Sequence, residues 1–303
     1  MRDHPQFRAY AALAAVCLAW GTTYLGIRMA LEAFSPVALL AMRFVISGGV
    51  LLAGAALAGV RIPRGWELAR TAATGLLILG IGNGCLSFAE QWVPSGLAAL
   101  FVTTSPFWMV GVESLAPQGE RLHGPTMGGM LLGLAGVALL VAPAGWNAAG
   151  RQLLVGGFLV LQVGCAAWAL GSILQRRHKT ATNAVVTGGV QQLATGLMYL
   201  LLWGVSGGAT PVVWKTRSVW AVLYLAAIGS IVGYSAFLYA LDRLPVAVVS
   251  VYTYINPMVA VFLGWLVYRE RFGWREAAAM AIIFCGVAIV KRHGQKTPET
   301  EMA

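Results

Sequence analysis

The sequence predicts an all-α polytopic membrane protein with ten transmembrane helices arranged as two inverted five-helix repeats. Three observations point there: a deficit of charge, a ladder of long charge-free runs, and a half-chain repeat at nearly constant offset. Of 303 residues, 58% are hydrophobic and 11% charged, where a soluble domain carries about 25% charged residues. A water-facing exterior on this chain needs more than 21 Lys+Arg and 11 Asp+Glu. Most of the surface therefore faces lipid, and a soluble enzyme is excluded.

A span needs roughly 20 mainly apolar residues. Fitting that length between charged and Gly/Pro-rich breaks places helices at 9–28, 36–58, 68–90, 95–115, 124–143, 153–175, 181–204, 216–240, 245–268 and 273–291. In the tenth, only 277–290 is free of charge. An offset of 148 pairs Cys17 with Cys165, Trp20 with Trp168 and Gly48 with Gly196. Near 150, Pro94 meets Pro245, Pro106 meets Pro257, Glu120-Arg121 meets Glu270-Arg271, and Gly136 meets Gly286. These define a first repeat over 9–143, a second over 153–291 and a cytoplasmic tail over 292–303. Five is odd, so the second copy enters the membrane from the opposite side and inserts upside down. Inverted repeats are a usual build of secondary transporters, with the substrate site near the midplane between halves.

The net charge of +10 does not indicate nucleic acid, because Lys and Arg lie in short breaks between spans. With a cytoplasmic N-terminus, the outer segments hold Arg28, Arg151, Lys215, Arg217, Arg269, Arg271 and Arg275. Arg43 lies inside a span, and all other basic residues fall inside the cell, so both termini are read as cytoplasmic. Cys17, Cys85, Cys165 and Cys285 all lie in spans without ligand spacing, which indicates neither a disulfide framework nor a metal site.

Glycine is 37 of 303 residues, and small residues let helices approach closely in lipid. Gly129–Gly133 and Gly229–Gly233 have GxxxG spacing. Packing within one chain is the reading taken over a dimer motif, so a monomer or weak homodimer is expected. Pro106 and Pro257 fall near the middle of the fourth and ninth spans, where proline disturbs the carbonyl four residues back, Val102 and Thr253. They are hinge candidates, with a packing kink as the alternative.

Arg43 is the one fixed charge well inside a span, about 10 Å from the end of its helix. An intramembrane ionisable residue is a functional hypothesis by default. It either binds a substrate carboxylate or pairs with Glu90 as a structural ion pair, with Asn83 the other plausible neighbour; the sequence leaves both open. Aromatics at membrane depth, among them Trp20, Tyr24, Trp168, Tyr234 and Tyr254, suit an amphiphilic or aromatic solute. Every His lies in a tail or loop, the only aspartates are Asp3 and Asp242, and no phosphate-binding loop occurs. Zinc-protease and aspartyl-protease chemistry and direct use of ATP are therefore not indicated.

Trp20-Gly21-Thr22-Thr23-Tyr24, Arg43-Phe44, Gly82-Asn83-Gly84, Pro94-Ser95-Gly96-Leu97-Ala98, Tyr254-Ile255-Asn256-Pro257 and Glu270-Arg271 together resemble the EamA family of the drug/metabolite transporter superfamily. The likeness extends over about 9–291. It implies ten helices in two inverted repeats, a central cavity, and export of small metabolites, commonly amino acids, by an uncoupled or proton-linked route from the bacterial inner membrane. The family's motif positions fall on Trp20, Tyr24, Arg43, Asn83, Glu90, Asn256 and Pro257. The second repeat carries Gln191 opposite Arg43 and lacks the Trp-Gly-Thr-Thr-Tyr run beyond Trp168, which argues against a symmetric site. The expectation is a multi-pass exporter of amino acids or related metabolites, without cofactor, metal or catalytic residues, whose partners are a small-molecule substrate and the bilayer. A broad drug exporter is the alternative within transport; an intramembrane enzyme is the alternative outside it.

Overall fold

A computed structural model describes residues 5–115, 124–141, 148–177, 183–206, 214–244, 246–249 and 252–293. Those residues are helical throughout, apart from turns. The helices are α1 (Pro5–Leu31), α2 (Pro36–Leu57), α3 (Gly65–Ala89), α4 (Ser95–Leu115), α5 (Gly124–Val141), α6 (Ala148–Arg177), α7 (Ala184–Val205), α8 (Thr216–Arg243), the single turn α9 (Val246–Val249), α10 (Tyr252–Tyr268) and α11 (Trp274–His293). Among the described residues, seven helices are long and apolar enough to cross a membrane: α1 to α4 and α6 to α8. In α5 and α10 the apolar stretch is shorter, Met127–Gly136 and Ile255–Tyr268. Large side chains such as Leu18, Leu57, Leu131 and Leu201 point outward, a surface that suits acyl chains and not water. The molecule is a polytopic membrane protein.

The helices start where local chemistry lets them. Ser35 caps α2 by accepting from the Ala38 N–H at 3.3 Å, with Pro36 as the first helical residue. Asn183, 148 positions on, caps α7 in the same way through Val186 at 2.9 Å. Two helices carry π-helical middles, Leu76–Asn83 in α3 and Leu225–Tyr234 in α8. Such segments are rare and favour functional sites because they turn backbone carbonyls towards neighbouring helices. Here the Gly80 carbonyl accepts from the Tyr199 hydroxyl at 2.7 Å, and the Gly229 carbonyl from the Trp20 indole N–H at 2.9 Å.

Close helix pairs are built on glycine. A Cβ on Gly48 would lie 2.4 Å from the Leu193 nitrogen, and one on Gly196 would lie 2.5 Å from the Val45 nitrogen. The residues run in opposite directions, so α2 and α7 cross antiparallel with their backbones nearly touching. The same reciprocity joins α5 and α11: Gly136 faces Ala279 and Ile283, while Gly286 faces Gly129 and Gly133. Gly229 and Gly233 lie against Arg43 and Trp20. Both GxxxG stretches thus pack within the chain. Around these pairs α1 packs on α8 and α10, and α6 on α3 and α4, which leaves a central space walled by α1, α2, α3, α4, α6 and α10.

Candidate substrate-binding site

That space is a cavity of about 70 Å³. Trp20, Tyr24, Arg43, Asn83, Trp168 and Asn256 all line it, together with Thr23, Ser105 and Cys165. Tyr24 lies one turn from Trp20, so a single face of α1 presents both rings. A hydroxyl-to-carbonyl bond from Thr23 to Trp20 (2.7 Å) folds the threonine back onto the helix. Asn256, with its amide nitrogen towards them, donates to the carbonyls of Tyr252 at 3.1 Å and Cys17 at 3.2 Å. It thereby ties α10 to α1 at the cavity wall.

Arg43 is 3% exposed. Its Nε donates to Ser230 Oγ at 2.8 Å and a terminal nitrogen to Asn83 Oδ1 at 3.2 Å. The guanidinium also lies 5.0 Å from the Phe44 ring centre. Among the described residues no carboxylate forms an ion pair with it, so the Arg43–Glu90 pair weighed from the sequence is absent. A buried cation held only by neutral acceptors is costly, by several kcal/mol after relaxation. What is left is a positioned positive charge on the cavity wall. Ser230 was not read from the sequence. Its signal was a hydroxyl directly after Gly229, inside the Gly229–Gly233 spacing.

On one side the cavity rests on an aromatic cluster. Trp20 meets Trp168 edge-on at 5.5 Å, Phe237 at 5.1 Å and Tyr252 edge-on at 5.1 Å. Trp20 and Trp168, equivalent in the two halves of the sequence, therefore meet at the centre.

The remaining candidates lie elsewhere. Tyr234 is buried and donates to Gln191 Oε1 at 2.7 Å; Gln191 in turn donates to Thr74 and Gln175, both at 2.9 Å. The position opposite Arg43 has thus become a neutral polar network. Glu90 is 4% exposed and does not border the cavity. Among the described residues, neither of its carboxylate oxygens has a hydrogen-bond partner. The Tyr254 side chain lies outside the described residues, as do Glu120 and Arg121. At Pro106 the helix is interrupted by a turn at Thr103 and Thr104. The carbonyl expected to be free there, that of Val102, accepts from Ser105 Oγ at 2.7 Å. Pro257 lies inside continuous helix.

One end of the bundle is tied by charge. Glu270 accepts from the Ser95 N–H (3.1 Å), the Ser95 hydroxyl (2.8 Å) and the Gly96 N–H (3.0 Å), and pairs with Arg28 at 3.2 Å. It supplies the N-terminus of α4 with the cap that Pro94 cannot provide. Beside it, Glu32 accepts from Tyr268 and pairs with Arg217 at 3.6 Å. Arg28 and Arg217 both lie over the Tyr268 ring.

The EamA-like transporter family matches this chain over residues 7–142 and again over 155–292. The chain belongs to that family. It is 32% identical over 291 residues to the inner membrane transporter YedA of Escherichia coli, covering 96% of this chain and 92% of that one. It is 24% identical over 293 residues to a protein of the same organism described as a probable amino-acid metabolite efflux pump, covering 90% and 91%. A solved crystal structure superposes with a TM-score of 0.69 at 25% identity, over 94% of this chain and 97% of that one. The two matched segments coincide with the halves whose glycines pack reciprocally.

Proposed function

We propose that this EamA-family protein is a secondary transporter that exports carboxylate-bearing small metabolites, most concretely amino acids, across the bacterial inner membrane. The observation that carries the reading is Arg43: a buried cation on the cavity wall, held by Ser230 and Asn83 and without an ion pair among the described residues. A substrate carboxylate would supply the missing charge, while the aromatic cluster receives the apolar part of the solute. A cationic drug would meet a like charge at close range, which favours the metabolite reading over broad drug export. Relatives named as transporters, one of them described as a probable amino-acid metabolite efflux pump, fit this better than an intramembrane enzyme.

Ten spans in two inverted repeats support alternating access. The antiparallel, reciprocal contacts of α2 with α7 and α5 with α11, the matched caps Ser35 and Asn183, and the paired π segments all suit a two-fold axis in the membrane plane. Substrate-sized pockets run to about 300–1,000 Å³, so a cavity of about 70 Å³ must expand to admit a solute. With both termini cytoplasmic, the end tied by Glu270 and Glu32 faces outward and acts as the outer latch. The test is counterflow of labelled amino acids into proteoliposomes: exchange of at least one is expected, and exchange of none refutes the substrate class.

A further inference from the structure

We propose that Glu90 is a proton-binding site of this carrier, and that the outer latch closes over it when its carboxyl is protonated. The inference rests on the transport reading above. Glu90 follows α3 directly, and Asn83, Leu86 and Glu90 are spaced to share one helix face. The first two line the cavity and the third does not, so Glu90 lies between the cavity and the tied end. It is buried, and among the described residues neither of its oxygens has a hydrogen bond.

The charged groups that act on it are Arg28 on α1, Arg43 on α2 and Glu270 after α10, and it acts on the Tyr24 hydroxyl. Both cations are already engaged, Arg28 with Glu270 at 3.2 Å and Arg43 with Ser230 and Asn83. A carboxylate anion buried without a partner is strongly disfavoured, whereas the neutral acid is tolerated. When the Arg28–Glu270 pair parts, water and Arg28 become available and the anion is stabilised. Proton binding and latch closure are then two faces of one equilibrium, linked reciprocally. Capture of a substrate ammonium is the competing role for an acidic group here. It requires Glu90 to border the cavity, which it does not.

The experiment compares wild type, Glu90→Gln and Glu90→Asp in proteoliposomes, with the membrane potential held at zero by valinomycin and equal potassium. Labelled alanine, leucine and threonine are followed in counterflow at equal pH and in accumulation under an imposed pH gradient. Wild type is expected to accumulate label by up to about tenfold per pH unit for one coupled proton. Glu90→Gln, fixed in the neutral form that closes the latch, is expected to slow counterflow and lose accumulation, with Glu90→Asp intermediate in both. The proposal is overturned if Glu90→Gln exchanges or accumulates like wild type, if wild type exchanges label but ignores the gradient, or if a monodisperse Glu90→Asp is as inactive as Glu90→Gln. If wild type exchanges none of the three, that substrate assignment is what fails. The proton site is then decided by pH-difference infrared spectra of wild type against Glu90→Gln: a titrating carboxylic-acid band lost in the variant upholds it, and identical spectra refute it.

Discussion

Replacing Glu270 by Ala should unlatch the outer end. The carboxylate accepts three hydrogen bonds at 2.8–3.1 Å and pairs with Arg28. At about 1 kcal/mol net for each bond the three contribute about 3 kcal/mol. The ion pair, whose side chains are 32% and 12% exposed, is discounted for solvent screening and adds less than about 1 kcal/mol. Because these bonds join α4 to the segment after α10, they are lost when the two separate, so most of this energy biases closed against open. About 3 kcal/mol corresponds to roughly a hundredfold shift in that equilibrium. The assay is labelling by a membrane-impermeant maleimide of Thr23→Cys, a cavity residue, in a background with the native cysteines replaced. Applied from outside the cell, the reagent should react at least about tenfold faster when Glu270 is also changed to Ala. An unchanged rate in a monodisperse variant would refute the latch.

Two further substitutions probe the scaffold. Gly48→Leu should lower folded yield and thermal stability sharply, by more than the roughly 1–3 kcal/mol of ordinary overpacking, because the new Cβ meets the Leu193 backbone at 2.4 Å. Gly49→Leu, with nothing within 4 Å of its Cβ, should leave a fluorescence-detected melting curve unchanged. Tyr199→Phe removes the 2.7 Å bond to the Gly80 carbonyl and should cost about 1–3 kcal/mol, read as a fall in melting temperature with the chain still monodisperse.

Much of this architecture was legible because lipid leaves few ways to satisfy a chain. Gly48 with Gly196 and Gly136 with Gly286 read as repeat matches, and their reciprocal packing is the physical reason glycine stands at each. Arg43 was legible as an exception to apolarity, and Trp20 and Trp168 as equivalents that meet. The π segments were not, since hydropathy carries no trace of a change from i+4 to i+5 bonding. Glu270 read as half of a Glu-Arg pair repeated from Glu120-Arg121. Its value as a cap for α4 depends on a contact across 175 positions that no local pattern records. At Pro106 the proline disturbs the Val102 carbonyl, but Ser105, adjacent in sequence, binds it. Tyr234 looked like a cavity ring, yet it serves the Gln191 network, a distinction that only the third dimension supplies.

The anchoring of a substrate carboxylate by Arg43 is tested most directly by comparing amino acids with their methyl esters as competitors of counterflow, in wild type and Arg43→Gln. Loss of a charge-assisted bond is worth about 1.5–3 kcal/mol, so wild type is expected to prefer the acid over its ester by roughly tenfold or more. Arg43→Gln should erase that preference while leaving the ester's weak competition unchanged. Equal competition by acid and ester in wild type, or an undiminished preference in Arg43→Gln, would contradict it.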